Sequence, residues 1–157
     1  TQTSRMNIVV LSDTHGFLPS DKEFFDLLDE VDRIYHLGDG WGEIRTLEYA
    51  YGSKLVYVGG NNDPVYGKDQ LIDDADGTKI LLTHGHTFGV RHGLDRLADH
   101  ARENGVRYVF YGHTHIQADD TIGGVRLINP GTFRRGNYCF ATASGGKLRV
   151  RQMTRFV

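Results

Sequence analysis

Apolar positions recur along this chain in two rhythms. Short runs of branched residues, beginning with Asn7-Ile8-Val9-Val10-Leu11, have the unbroken apolarity of strands buried on both faces. Between them, apolar residues return at helical spacing. Ser20-Asp21-Lys22-Glu23 reads as a capping box ahead of Phe24, Leu27, Leu28 and Val31. Strands are predicted at 33–37 and 54–58, with a helix over 41–50 that sets Ile44, Leu47 and Ala50 on one side. Strand-helix-strand-helix-strand order predicts a parallel sheet with crossover helices.

The second half changes character. Segments 70–75 and 78–83 flank Asp76-Gly77, a strong hairpin signal. A helix over 93–104 carries Leu94, Leu97, Ala98 and Ala101 on its apolar face, and Gly105 suits its C-terminal end. Strands follow at 106–111, 116–121, 125–129, 137–143 and 147–153, with turns at Gly123-Gly124 and Gly145-Gly146. Two packed sheets with helices outside accommodate this mixed α/β pattern.

Length and charge narrow the possibilities. The 157 residues fit one domain with a core of its own, and no repeat or composition shift marks a boundary, so 1–157 is read as a single domain. The polar Thr1–Arg5 stretch ahead of Met6 is expected to be disordered or foreign to the native chain. A net charge of -2 gives no global pull toward nucleic acid or anionic membrane, so an anionic substrate has to be attracted locally. Cys139 is the sole cysteine, which excludes an intrachain disulfide and a cysteine-based zinc site. No signal-peptide core and no apolar run of roughly 18 residues is present, so a cytoplasmic location without membrane contact is expected.

The chemistry sits where apolar runs stop. Ile8–Leu11 leads into Ser12-Asp13-Thr14-His15, and Ile34–Leu37 into Gly38-Asp39. Leu55–Val58 leads into Gly59-Gly60-Asn61-Asn62-Asp63, Ile80–Leu82 into Thr83-His84-Gly85-His86, and Val106–Tyr111 into Gly112-His113-Thr114-His115. Loops beyond the carboxyl ends of strands in open α/β sheets converge on one crevice. Asp13, His15, Asp39, Asn61, His84, His113 and His115 are thereby predicted to surround one point. Carboxylates and imidazoles so crowded call for a cation among them. Seven donors oversupply one ion; two ions sharing Asp39 divide them sensibly. Mixed His, carboxylate and amide donors suit Mn, Fe, Zn or Ni.

The ordered set D-x-H, G-D, G-N-N-D, H-G-H and G-H-T-H resembles the calcineurin-like metallophosphoesterase superfamily. Leu11-Ser12-Asp13-Thr14-His15-Gly16, Thr83-His84-Gly85-His86 and Asn129-Pro130-Gly131-Thr132 resemble its small bacterial and archaeal phosphodiesterase branch. The resemblance covers Ile8 to about Thr132 and implies a four-layer αββα sandwich of two mixed β-sheets flanked by helices. It implies one metal held by Asp13, His15, Asp39 and His115, and a second held by Asp39, Asn61, His84 and His113. Many members carry a His after the liganding Asn, thought to protonate the leaving oxygen. Here that residue is Asn62, whose amide cannot act as a general acid.

The expected reaction is hydrolysis of a small phosphodiester by a hydroxide bridging two divalent ions about 3.5–4 Å apart, with Mn2+ favoured. Asp39, Asn61, His84 and His86 are the expected catalytic residues. His86 is open between orienting His84, touching substrate and lining the pocket. Asn62, Arg134 and Arg135 are candidates for substrate contact, and a solvated basic turn is an equal reading for the two arginines. Arg91 has the same standing, and Asp63 is open between supporting the site and shaping a turn before Pro64. His36, inside a strand, is expected to be packed or to support a ligand; His92 and His100 are expected at the surface. Trp41 and Tyr111 are expected in the core. The alternatives are a phosphomonoesterase or nucleotidase, and a non-catalytic interaction module such as the retromer scaffold subunit, which shares this family's fold. No basic stripe suits a long nucleic acid. A homo-oligomer is compatible with the family resemblance.

Overall fold

The structure, a computed structural model, describes residues 5–64 and 67–155. The expectation for the leading stretch therefore lies outside the described residues as far as residue 4. Among the described residues the first sheet has strand order β10-β9-β1-β2-β3, from β1 (Met6–Leu11), β2 (Arg33–His36), β3 (Leu55–Tyr57), β9 (Asn137–Ser144) and β10 (Lys147–Thr154). The second has order β4-β5-β6-β8-β7, from β4 (Gln70–Ala75), β5 (Thr78–Thr83), β6 (Tyr108–Phe110), β7 (Ala118–Ile122) and β8 (Val125–Asn129). β1, β2 and β3 run parallel, as do β5, β6 and β8; the antiparallel hairpin β9–β10 extends the first trio beyond β1, and antiparallel β4 and β7 flank the second.

Strand alternation builds four layers. Ile8 and Val10 of β1, Ile80 and Leu82 of β5, and Phe110 of β6 meet in the core between the sheets. Val9 and Leu11 face the other way, onto Phe24 and Leu28 of α1 (Lys22–Glu30) and Leu47 of α2 (Trp41–Tyr51). Leu81 and Val109 likewise pack on Leu97, Ala98 and Ala101 of α3 (Asp95–Glu103). The αββα sandwich is thus the direct result of strands that are apolar on both faces. No helix among the described residues is long and apolar enough to cross a membrane.

Several boundaries differ from the sequence reading. Asp21, not Ser20, caps α1: its carboxylate accepts the Phe24 N–H at 3.1 Å. Both Asp21 oxygens also accept Arg155 Nη2, at 2.7 and 2.8 Å, a pairing 134 positions away that local spacing does not reveal. α3 begins at Asp95 because Gly93, at φ +138°, is outside helical space and residues 90–92 form a separate 3-10 turn. β6 is shorter than 106–111, since Val106 gives its N–H to Ala101 O and closes α3 instead. β7 starts at Ala118 rather than 116.

Candidate metal centre

Five of the sequence-predicted donors sit on unusual backbone. Asp13 (φ +53°), His15 (+44°), Asp39 (+62°), His113 (+72°) and His115 (+68°) are left-handed; the sixth such non-glycine residue described is Asp76, in its hairpin turn. Each left-handed residue costs about 1–2 kcal/mol, so the surrounding fold has to enforce it. The strand ends do so. Asp13 N donates to Gly38 O (3.0 Å), His15 N to Asp39 O (3.1 Å) and Gly112 N to His84 O (3.0 Å). Asn129 Nδ2 donates to Gly112 O (3.1 Å) and Thr114 Oγ1 (2.9 Å), while Thr132 Oγ1 donates to Asp13 O (2.7 Å). Gly112 is required by close approach: a Cβ there would stand 2.1 Å from Ser12 Oγ and 2.8 Å from Asp13 Oδ2.

The side chains gather in two groups. Donor atoms of Asp13, His15 and His115 lie within 4.8 Å of one another, and so do those of Asp39, His84 and His113. Asp13 Oδ1 is buried and makes no hydrogen bond among the described residues, yet His115 Nε2 (3.1 Å), His15 Nε2 (3.5 Å) and His84 Nε2 (3.9 Å) surround it. Its other oxygen accepts Ser12 Oγ (2.6 Å) and His113 N (3.2 Å). Asp39 Oδ2 faces both groups, 3.3 Å from His84 Nε2 and 4.0 Å from His15 Nε2. Asn61 Oδ1 lies 3.1 Å from His113 Nδ1, which is itself 3.2 Å from His84 Nε2. All seven predicted donors converge.

These donors fit a cation. His84 Nδ1 donates to Leu37 O at 2.9 Å, so Nε2 is the ring nitrogen turned inward, able to bind a cation once its own proton is displaced. His15 Nε2 and His115 Nε2 stand 3.2 Å apart, nitrogen to nitrogen, beside a buried carboxylate. Burial opposes ionisation of Asp39, but the His84 hydrogen bond and charge, together with Asn62, hold its carboxyl below the ordinary carboxylate range. Burial likewise opposes protonation of His84; Asp39 and the charge of Asp13 outweigh it and raise the imidazole's pKa. Burial and the neighbouring His84 lower that of His113. A buried carboxylate oxygen ringed by imidazole nitrogens is a donor set that suits a positive ion.

The remaining candidates take distinct places. Asn62 donates to Asp39 through its N (Oδ1, 2.9 Å) and Nδ2 (Oδ2, 3.0 Å), so its amide faces the centre's carboxylate. Asp63 supports the site, accepting Asp39 N (2.7 Å), Gly60 N (2.7 Å) and Gly40 N (3.0 Å). The His86 ring lies 5.4 Å from that of His84, and its buried Nδ1 has no partner among the described residues; with Asn61, Asp63 and Asp69 it lines a cavity of about 400 Å³. Arg134 is exposed and donates to His15 O at 2.7 Å, and Arg135 is exposed beside it. His36 is buried as expected. His92 is exposed, but His100 is half-buried against Phe88 and bonded to Gln70 Oε1 at 2.6 Å, which corrects its surface reading. Tyr111 is buried, and Trp41 is half-buried against Tyr57. Glu43 and Thr14, whose side chains meet beside the Asp13–His15 segment, were not singled out by the sequence.

Comparison with known proteins agrees with this geometry. The model of the calcineurin-like phosphoesterase superfamily domain matches residues 6–144. The chain is 33% identical over 133 residues to the probable metallophosphoesterase YsnB of Bacillus subtilis, covering 82% of this chain and 76% of that one. It is 28% identical over 145 residues to phosphodiesterase MJ0936 of Methanocaldococcus jannaschii, covering 80% and 83%. Vacuolar protein sorting 29 from Cryptosporidium parvum shares the fold with a TM-score of 0.76 at 16% identity, over 96% and 99% of the chains. By the span of the family match and the identity to YsnB, this chain belongs to the calcineurin-like phosphoesterase superfamily.

Proposed function

We propose that this protein is a phosphodiesterase that works with two divalent cations and hydrolyses a small phosphodiester. One ion sits among Asp13, His15, Asp39 and His115, the other among Asp39, Asn61, His84 and His113. The observation that carries this reading is Asp13 Oδ1, buried without a hydrogen-bond donor and ringed by three histidine nitrogens. Nitrogen and oxygen donors without thiolate suit Mn2+, Fe, Zn and Ni, and Mn2+ is the ion we assign. When bound, such ions polarise a phosphoryl oxygen and acidify water at the site.

The chain's own groups hold that chemistry in place. Leu37 O fixes the tautomer of His84, Asn62 aligns both Asp39 oxygens, and Asp63 binds the Asp39 backbone. The Asn62 amide carries no transferable proton, so a diester with a good leaving group is the easier substrate. The name of the archaeal relative, a phosphodiesterase, supports the same choice. His86 borders the cavity beside Asn61 and Arg134 stands over His15 O; these are the groups suited to contact substrate. A slightly acidic, thiol-poor chain fits the cytoplasm.

The likeness to vacuolar protein sorting 29 supports a second reading, a non-catalytic interaction module on this fold. An interaction module has no need of a complete donor set, and here all seven positions are filled. Purified protein with Mn2+ should hydrolyse bis-p-nitrophenyl phosphate faster than p-nitrophenyl phosphate. Asp39→Ala and His113→Ala should each lose activity together with bound Mn2+. Hydrolysis of neither ester overturns the enzyme reading in favour of the module.

A further inference from the structure

We infer that Glu43, acting through Thr14, is a positioning residue for the Asp13–His15–His115 group and sets the affinity of the cation proposed there. The inference rests on the proposed function, but its geometry stands on separate residues. Thr14 lies between two left-handed donors, Asp13 and His15, and is wholly buried. Its hydroxyl is held from two sides. Gly38 N donates to His36 Nδ1 at 3.1 Å, which leaves the proton of that ring on Nε2. His36 Nε2 then donates to Thr14 Oγ1 (3.0 Å), and Thr14 Oγ1 donates to Glu43 Oε1 (2.6 Å). The same Glu43 oxygen accepts Gly16 N at 2.7 Å. One carboxylate in the first turn of α2 thus grips the segment on both sides of His15.

The surroundings are built around this chain of bonds. A Cβ on Gly40 would stand 1.8 Å from Thr14 Oγ1 and 3.0 Å from both Glu43 Oε1 and His36 Nε2, so only glycine admits the hydroxyl. The contacts also have a direction. Glu43 and Thr14 touch the segment carrying Asp13 and His15, whereas the backbone beside Asp39 is gripped by Asp63. Loss of Glu43 frees the Asp13-Thr14-His15 backbone to relax from its left-handed conformation, while the Asn61–His84–His113 side keeps its supports. Partners that orient a metal's donors typically change its affinity by about 10–100-fold.

Mn2+ titration by calorimetry, with thermal melting of the ion-free proteins, tests this. Wild type should bind two ions; Glu43→Ala should weaken one by at least tenfold and leave the other within twofold, measured at a temperature where melting shows the ion-free variant still folded. Glu43→Gln keeps an acceptor for Thr14 and Gly16 without the charge, and should recover most of the affinity. Thr14→Val should match Glu43→Ala, and the double variant should add little further. Two ions in wild type with an unaltered isotherm in Glu43→Ala overturns the positioning role alone. A Gln variant as weak as Ala also overturns it, because charge rather than geometry then matters. Absence of Mn2+ binding in wild type overturns the metal centre itself and this role with it.

Discussion

Asn62 holds the Asp39 carboxylate by both oxygens, its N–H on Oδ1 and its side-chain amide on Oδ2. Asp39 is the carboxylate that faces both donor groups, so its orientation matters to each. Asn62→Ala keeps the backbone bond and removes the other. Mn2+ affinity should fall about tenfold in a calorimetric titration. An unchanged isotherm refutes the orienting role of the amide.

His36 gives the fold an acid-side sensitivity. Burial lowers its pKa from 6.5 to about 4, against the upward pull of Asp63, Asp13 and Glu43. Between those two values an unfolded chain takes up a proton that the folded protein does not. Stability contributed by neutral His36 is therefore complete above about 6.5 and lost as pH falls toward 4. Urea unfolding of wild type at pH 7, 5.5 and 4.5 should show this decline, and His36→Gln should show a shallower one. Parallel declines refute the assignment to His36.

Asp73 of β4 joins the two sheets by accepting Arg33 Nη1 (2.6 Å to Oδ1) and Tyr35 Oη, both from β2. Burial and the adjacent Asp73 push the Tyr35 phenol upward, so it stays a neutral donor. Asp73→Ala strands a largely buried hydroxyl and a guanidinium. It should lower stability by about 2 kcal/mol in urea unfolding. A loss below about 0.5 kcal/mol marks the pairing as incidental.

Cys139 lies between the sheets with its thiol on Gln152 Oε1 at 3.2 Å. Burial, with the Asp119 charge adding to it, pushes that thiol up to about 12. Reaction with a disulfide reagent at pH 8 should be negligible in the folded protein and rapid in urea. Quick labelling of the native chain contradicts this placement.

The convergence of the candidate donors is legible because each lies within a few residues of the end of an apolar run, and a strand end is visible in one dimension. Asp13, His84 and His113 needed only the rule that such ends converge. Long-range partners carry no such local mark. Glu43 meets Thr14 across 29 positions and Asp73 meets Arg33 across 40, so each looks like any acidic residue on a solvated helix or edge strand. Asp21 caps α1 in place of Ser20, and its second partner, Arg155, arrives from the far end of the chain without a local mark. His100 departs from its surface expectation because Gln70, at the start of β4, gives its ring a partner that helical spacing does not show.

Each donor group draws on both halves of the sandwich. Asp13, His15, Asp39 and Asn61 follow strands of the first sheet, while His84, His113 and His115 follow strands of the second. Any ion coordinated there is a rivet through the seam, adding to the oily side chains, the Arg33–Asp73 clasp and the Gln152 and Arg126 bonds that already join the layers. With the proposed ions bound, mechanical integrity and chemistry would share one fastening, and a chelator that silences the one should also let the sandwich breathe.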